Sequence, residues 1–432
     1  MTAGQTSEIA ARTRRKVAWR ILPFVFLLYI IAYLDRANVA FVNVPMSADL
    51  GFSEAVFGFG AGIFFLGYFL LEIPGALIVE RWSARRWLAR IMVTWGIFTA
   101  LVGFVHTPSQ FYSARFLLGV AEAGFFPGVI VYLTHWFIQR DRARAMSGFI
   151  TAAPVALAIG APLSGLILQI RWLDWPGWRW VFVLEGVPAV LFGFVTVFYL
   201  TDRPAQAGWL RPEERLWLIG ELEREKEAKK TGAGIPWWRA LRRKDVLLLT
   251  SAYFFANVAG YGFILWLPAI LKRVLGLPVV LAAVFSALPF VVAVLAIWLV
   301  SRSSDRTGER KRHACLSFTA AALFLGLAAI PGLPFPVAAV FICLTGAAAY
   351  AWISPFWVLP TLTLGESAAA ASIGLINSVG NLGGFVGPAI TGLLLSRGLP
   401  HGAAMAVLSL SYFMSALLTS LVQVGQPRDR CS

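Results

Sequence analysis

Long apolar stretches recur along the whole chain and are separated by short polar segments. Each stretch has about 18 or more residues and few charges, which is enough for an α-helix to cross a lipid bilayer. The twelve stretches lie at about 17–42, 55–79, 86–106, 109–137, 143–170, 178–200, 246–273, 280–302, 314–331, 336–361, 369–396 and 401–423. The pattern predicts an all-α membrane protein with twelve transmembrane helices.

The charged residues are few but mostly basic. Of 432 residues, 58% are hydrophobic and 14% charged, and the formal net charge is +15. The basic residues are concentrated before the first stretch, after the second, fourth and eighth, in the segment 201–245 and at the C-terminus. This asymmetry follows the positive-inside rule and predicts an inner (plasma) membrane protein with cytoplasmic termini. The lipid bilayer therefore explains the composition, and we expect no nucleic-acid partner.

The segment 201–245 separates two sets of six stretches. Its charged run from Glu213 to Lys230 is polar on nearly all sides, which predicts a solvated surface helix. We therefore expect an N-terminal six-helix bundle at 1–200, a cytoplasmic linker with a surface helix at 201–245, and a C-terminal six-helix bundle at 246–432.

Two loops repeat one order of residues: an acid, an arginine, a spacer and then a basic pair. The residues concerned are Glu80, Arg81, Arg85 and Arg86 in one loop and Asp305, Arg306, Gly308 and Arg310 in the other. Both loops join the second and third stretch of their half. Repeats in matching positions are typical of transporters whose halves rock about a central site, so we predict structural or gating roles for both loops.

Four charged residues lie inside apolar stretches: Asp35 and Arg36 in the first, Arg115 and Glu122 in the fourth. A charge at membrane depth costs about 2.5–3.5 kcal/mol or more, and such groups usually face an internal cavity. A guanidinium suits bidentate recognition of a carboxylate, so two arginines in one cavity would bind an anion. The alternative is two structural Arg–acid ion pairs with no contact to a substrate.

The most specific segments of the chain are Tyr33–Asn38, Arg115–Gly124, Ser304–Arg310 and Asn377–Gly384. With them the chain resembles the major facilitator superfamily, and more narrowly the organic-acid transporters of its anion:cation symporter branch, such as proton symporters for galactonate and tartrate. The resemblance covers nearly the whole chain. It implies a major facilitator fold and proton-coupled import of a small organic anion, a sugar acid or hydroxylated carboxylate, by alternating access. The seventh stretch lacks the core arginine of the vesicular glutamate carriers, which argues against glutamate transport.

The resemblance also implies roles for individual residues. Asp35 and Glu122 match the family's proton-coupling acids, while Arg36 and Arg115 would hold the carboxylate. The expected substrate contacts beyond the arginines are Tyr33, Tyr68, Tyr261, Ser354, Trp357, Asn377 and Asn381. The two asparagines are four residues apart and share a helix face, so they could bond substrate hydroxyls or join helices to one another.

Two further acids lie within apolar stretches. We expect Glu72 to join a structural network with basic residues of the adjacent loop, and the sequence assigns no role to Glu185. The three cysteines and four histidines lack metal-ligand or catalytic spacing. We therefore expect no cofactor and no enzymatic activity.

Other functions are compatible with the same pattern. A proton-driven efflux pump of this superfamily is the main alternative, although the paired arginines favour an anionic ligand. A nutrient sensor with a transporter fold is another. The sequence leaves open the identity of the anion, proton or sodium coupling, the direction of transport and the oligomeric state, for which a functional monomer is the simplest expectation.

Overall fold

The computed structural model describes residues 3–230, 242–363 and 366–423, which are helical and contain no strand. The N-terminal half contains α1 (Ala3–Leu50), α2 (Glu54–Arg81), α3 (Ala84–Val102), α4 (Pro108–Glu122), α5 (Phe125–Thr134), α6 (Gln139–Ile150), α7 (Ala152–Ile167) and α8 (Gly177–Tyr199). A 3-10 turn (Pro204–Gln206) and α9 (Pro212–Lys230) follow. The C-terminal half contains α10 (Lys244–Leu275), α11 (Val279–Phe285), α12 (Leu288–Thr307), α13 (Arg310–Ala328), α14 (Phe335–Ala351), α15 (Ile353–Thr363), α16 (Glu366–Asn381), α17 (Gly383–Ser396) and α18 (His401–Ser420).

These helices form twelve membrane spans in two sets of six, as predicted. Ten helical stretches are long and apolar enough to cross a membrane by themselves. The third and ninth spans are α3 and α13, each 19 residues long and each with basic residues in its first turn. Five spans consist of two helices: α4 with α5, α6 with α7, α11 with α12, α14 with α15, and α16 with α17.

The fourth span is interrupted where the sequence predicts a continuous helix. Helix α4 ends at Glu122, and Gly124, which precedes α5, has a φ of +86°. A left-handed backbone is strained for residues with a Cβ atom, so glycine permits this break. Glu122 is consequently the last residue of α4 and lies beside the break.

The surface helix predicted from the charged run exists as α9, but one of its faces is not solvated. Helix α1 begins far before the predicted span, and its Arg12 and Lys16 bond the Glu214 carboxylate of α9 at 2.8 and 3.1 Å. Arg142 of α6 contacts Glu225 of α9 at 3.3 Å. Ion pairs therefore hold this helix against the N-terminal half, although its composition favours full exposure.

The two repeated loops have different partners. Ser83 Oγ and the Arg85 backbone N–H both donate to the Asp202 carboxylate, which ties the first loop to the end of α8. The Arg86 backbone N–H donates to Ser83 Oγ and caps α3, and the side chains of Glu80 and Arg81 lie outside the described part of the structure.

The second loop closes on itself. Arg310 pairs with Asp305 at 2.5 Å, Gly308 ends α12 with a φ of +72°, and Arg306 is exposed. A gating role for either loop stays a prediction.

The halves contact each other mainly at the end far from the chain termini and α9. There α2 packs closely on α17: a Cβ atom on Gly58 would lie 2.4 Å from the Pro388 carbonyl oxygen. Arg273 at the end of α10 also pairs with Glu54 at the start of α2. The space between the halves lies nearer the other end.

Candidate functional site

A cavity of about 740 Å³, counted with the space open to solvent, lies between the two halves. Aromatic side chains dominate its walls: Tyr29, Tyr33 and Phe126 from the N-terminal half, and Tyr253, Tyr261, Phe263, Tyr350, Trp352, Trp357 and Tyr412 from the C-terminal half. Three predicted substrate contacts, Tyr33, Tyr261 and Trp357, are among them. Tyrosine hydroxyls and the Asn257 amide supply a few polar groups on mostly apolar walls, which is typical of sites for small molecules.

Arg36 does not line this cavity itself, but it contacts two lining residues, Tyr33 and Tyr261, and joins the two halves. One end of its guanidinium forms an ion pair with Glu122 at the end of α4. The other end donates to the Tyr261 hydroxyl of α10 at 3.3 Å. Its centre lies over the rings of Tyr33 and Tyr68, at 5.1 and 5.2 Å, which is within cation–π distance. The predicted neighbourhood of Arg36 and Glu122 is therefore present.

Arg115 lies behind the cavity wall and does not line it. Its side chain is fully buried, and Nη2 donates to the Ala61 carbonyl oxygen of α2 at 3.2 Å. The guanidinium centres of Arg115 and Arg36 lie 5.1 and 5.5 Å, respectively, from the centre of the same Phe64 ring. The Nε and Nη1 atoms of Arg115 have no hydrogen-bond partner within the described residues. Arg115 therefore places a positive charge close to Arg36 without contacting the cavity.

Gly119 lies between Arg115 and Glu122 on α4 but leaves no free space beside them. A Cβ atom on Gly119 would lie 1.9 Å from the Phe64 carbonyl oxygen, so the backbone of α2 occupies the position. The glycine allows close packing of α2 on α4 and provides no room for a ligand.

Asp35 points away from the cavity, into the interior of the N-terminal half. Its Oδ2 accepts a hydrogen bond from Trp95 Nε1 of α3 at 2.6 Å, and the side chain is 1% exposed. Although Asp35 and Arg36 are adjacent in sequence, Asp35 therefore points into the interior of the N-terminal half and Arg36 points toward the C-terminal half. Glu122 therefore pairs with an arginine as expected and Asp35 does not, and neither acid lines the cavity.

Asn377 and Asn381 are bonded to Glu72 of the opposite half. Both amide nitrogens donate to its carboxylate, and Tyr253 donates to Asn377 Oδ1 at 3.4 Å. Glu72 is 3% exposed, and within the described residues its hydrogen bonds go to these asparagines and not to basic residues of the adjacent loop, so that prediction was wrong. An acid within a membrane span satisfies its oxygens with the nearest donors, here two amides at one helix face.

Two other predicted contacts lie outside the cavity wall. Tyr68 is buried against Arg36, and Ser354 is half-buried on α15. The sequence analysis overlooked Tyr253 and Asn257, which line the cavity from α10 together with Tyr261. Their spacing of four residues places all three on one helix face, and this polar stripe within an apolar helix is the signal that could have identified them.

Two helical bundles around a shared cavity, with charged groups at membrane depth beside it, define a secondary transporter. The sequence matches the family model of the Major Facilitator Superfamily over residues 25–388. The chain belongs to this superfamily, as the resemblance of its motifs indicated.

Relatives of known name cover nearly the whole chain. It is 42% identical to a protein of Agrobacterium vitis named "Putative tartrate transporter", over 98% of this chain and 94% of that protein. It is 39% identical to the "Quinolone resistance transporter" of Acinetobacter baumannii, over 96% of each. Among solved structures, the inward open conformation of a xylose transporter from E. coli superposes with a TM-score of 0.74 at 14% identity, covering 95% of this chain and 97% of that one. At this sequence identity, the superposition shows only that the two proteins share a fold.

Proposed function

We propose that this protein is a proton-coupled importer of a small organic carboxylate, such as a sugar acid or hydroxylated dicarboxylate. The observation that carries the proposal is the Arg36 guanidinium, which is shared between Glu122 of one half and Tyr261 of the other beside the cavity. The relative named for tartrate, a dihydroxylated dicarboxylate, supports this class of substrate.

Competition for Arg36 provides the coupling. With Glu122 ionised, the guanidinium is already paired inside the protein. A proton that adds to a Glu122 carboxylate oxygen removes the charge from this acid and leaves Arg36 available to a substrate carboxylate. Loss of the proton after substrate release restores the pair. Since a charge-assisted bond is about twice as strong as a neutral one, the protonation state of Glu122 decides which anion the arginine holds.

The Tyr261 hydroxyl lets the opposite half respond to this exchange. Because Arg36 donates to it directly, an anion that takes the guanidinium also changes a bond between the halves. Arg115 contributes positive charge from behind Phe64 without contacting the substrate. If the termini are cytoplasmic, as the basic residues indicate, the cavity opens toward the cytoplasm.

Efflux of an amphipathic drug is a second candidate function. It is favoured by the aromatic walls of the cavity and by the relative named for quinolone resistance. A quinolone combines a carboxylate with a flat ring system, so it would fit the same arginine and aromatic groups.

Transport assays in proteoliposomes separate the two. The full-length protein is reconstituted, a pH gradient is imposed in either direction, and labelled tartrate or a labelled fluoroquinolone is supplied on either side. The import proposal predicts that tartrate accumulates on the alkaline side and that an Arg36→Gln variant does not accumulate it. Accumulation of the quinolone alone, driven against proton flow, would instead establish an efflux pump.

A further inference from the structure

A hydrogen-bond network crosses from α2 of the N-terminal half to the cavity wall of the C-terminal half. The Glu72 carboxylate accepts from the side-chain amide of Asn377 and, at 3.5 Å, from that of Asn381. The Tyr253 hydroxyl of α10 donates to Asn377 Oδ1 at 3.4 Å. Tyr253 lines the cavity, whereas Glu72 and Asn377 are buried behind its wall. Glu72, Asn377 and Tyr253 therefore connect a buried acid of one half with a cavity residue of the other.

Each bond of this network has a fixed donor and a fixed acceptor. A carboxylate only accepts hydrogen bonds, so Glu72 binds the nitrogen of the Asn377 amide and leaves the amide oxygen on the other side. That oxygen faces Tyr253 and accepts its hydroxyl proton. A phenol has a single proton to donate. With this proton bound to Asn377, the Tyr253 oxygen can only accept a bond from a ligand.

Packing holds Tyr253 in this position. A Cβ atom on Gly380 would lie 2.0 Å from Cδ1 of Tyr253, so the ring lies directly against α16. The ring also contacts Trp357 edge to face, with centroids 5.0 Å apart, and stacks on Phe356 at 5.9 Å. These contacts keep the hydroxyl beside Asn377. The position of the hydroxyl therefore comes from packing, and the direction of its hydrogen bond comes from Asn377.

Asn257, one turn further along α10, supplies a donor beside this acceptor. It lines the same cavity, is 8% exposed, and its Nδ2 has no hydrogen-bond partner within the described residues. Because the large majority of buried polar atoms have a partner, this amide indicates a ligand atom that accepts. A hydroxyl group can donate to Tyr253 and accept from Asn257. A carboxylate cannot donate and an ammonium group cannot accept, so neither fits both residues.

We propose that Tyr253 and Asn257 form a subsite for a hydroxyl group of the substrate, and that Glu72 fixes its direction of hydrogen bonding through Asn377. The substrate hydroxyl donates to the Tyr253 oxygen and accepts from the Asn257 amide. Glu72 is a positioning residue, because it acts through Asn377 and does not line the cavity. The subsite rests on the proposed function and adds to it the residues that distinguish a hydroxylated carboxylate from a plain one.

Tartrate and succinate test the subsite, because they are dicarboxylates with the same carbon chain and only tartrate carries hydroxyls. Uptake of each labelled acid is measured with the full-length protein in proteoliposomes. A site that bonds a substrate hydroxyl rejects the analogue that lacks it, so wild type should favour tartrate. Tyr253→Phe should lower the tartrate-to-succinate uptake ratio about two- to tenfold and leave succinate uptake unchanged. Glu72→Gln should lower the ratio by a smaller factor, because a glutamine amide can donate as well as accept.

Glu54→Gln is the matched control for Glu72→Gln. Glu54 also lies on α2 and contacts the C-terminal half, through Arg273, but at the end away from the cavity, so its uptake ratio should equal that of wild type. The double variant Glu72→Gln/Tyr253→Phe should have the ratio of Tyr253→Phe alone, since both changes act on one hydroxyl. A wild-type ratio in Tyr253→Phe would overturn the subsite. A wild-type ratio in Glu72→Gln, or factors that multiply in the double variant, would overturn the role of Glu72.

Infrared spectroscopy tests the network without transport. The C–O stretching band of a tyrosine depends on whether its hydroxyl donates a hydrogen bond, and subtraction of the Tyr253→Phe spectrum isolates the band of Tyr253. We expect the band of a donating hydroxyl in wild type and a shifted band when the same subtraction is made in Glu72→Gln. An unshifted band would refute the role of Glu72. A wild-type band without donation would refute the network even if Glu72→Gln does not fold. A wild type that carries neither acid would refute the proposed function, and the infrared comparison would still decide whether the network exists.

Discussion

The two halves of this transporter share an architecture but divide the chemistry. Apart from Glu214 on α9, the buried charged side chains of the described residues lie in the N-terminal half: Asp35, Glu72, Arg115, Glu122, Arg179 and Glu185. The buried polar side chains that the structure describes in the C-terminal half are neutral, and its side of the cavity combines tyrosine, tryptophan and asparagine with apolar residues. One half therefore contains the buried charges, and the other presents neutral aromatic and hydrogen-bonding groups to the cavity. Their direct links beside the cavity are Arg36 with Tyr261 and Glu72 with Asn377.

The largest expected effect follows from replacement of Arg36, whose guanidinium contacts both halves. Arg36→Gln leaves Glu122 buried without its partner, and breaking such a pair costs about 3–5 kcal/mol. We expect carboxylate uptake to fall by a factor on the order of one hundred or more. Arg302→Gln, an exposed arginine of the C-terminal half, is the control and should transport normally. Equal losses in both variants would refute the division between the halves.

A substitution at the contact between α2 and α4 tests whether these helices of the N-terminal half are packed more tightly than other parts of the chain. Gly119→Ala places a Cβ atom into the backbone of α2, and such overpacking costs about 1–3 kcal/mol. We expect a lower thermal unfolding midpoint in detergent. Gly374→Ala in α16 is the matched control, because a Cβ there meets no atom within 4 Å. A midpoint unchanged by Gly119→Ala would show that α2 and α4 can separate freely.

The hydrogen bond from Arg36 to the C-terminal half should affect transport less than the ion pair of Arg36 with Glu122. Tyr261→Phe removes one hydrogen bond to the guanidinium, which contributes about 0.5–1.5 kcal/mol. Tartrate binding, measured by calorimetry, should weaken about two- to tenfold, and proton coupling should persist. Tyr412→Phe, which changes another cavity tyrosine that does not bond Arg36, serves as the control. Loss of proton coupling in Tyr261→Phe would mean that coupling is not confined to the N-terminal half.

The smallest effect concerns the linker helix. Burial alone would raise the pKa of the Glu214 carboxyl, but bonds from the Arg211 backbone N–H, Lys16 and Arg12 outweigh it and hold the pKa below its usual value. The stabilisation is therefore present above the usual glutamate pKa of about 4.3 and is lost as the pH falls through the lower value in the folded state.

We expect Glu214→Gln to reduce stability at neutral pH by about 1 kcal/mol or less. The difference from wild type should shrink in acid. Thermal unfolding at neutral and acidic pH measures it, with Glu223→Gln as the control, because Glu223 forms no ion pair with the side chains that the structure describes. A difference that grows in acid would contradict the proposed ion pairs.

Hydrophobic periodicity predicted the spans, their number and the two bundles, because the bilayer requires apolar helices of fixed length. It also identified Arg36 and Glu122, since a charge inside an apolar stretch is conspicuous. The direction of each side chain was harder to predict. Asp35 and Arg36 are adjacent in sequence yet face different compartments, and the partner of Glu72 lies about 300 residues away on another helix. Such contacts depend on how the helices rotate and pack, which apolar patterning leaves undetermined.

Simultaneous recording of proton and substrate entry tests whether Glu122 couples the two. Proteoliposomes carry an entrapped pH dye, and labelled tartrate is added to wild type and to Glu122→Gln. We expect protons to enter with tartrate in the wild type, whereas the variant should exchange tartrate for tartrate without proton entry. Proton entry with tartrate at the wild-type ratio in Glu122→Gln would contradict it.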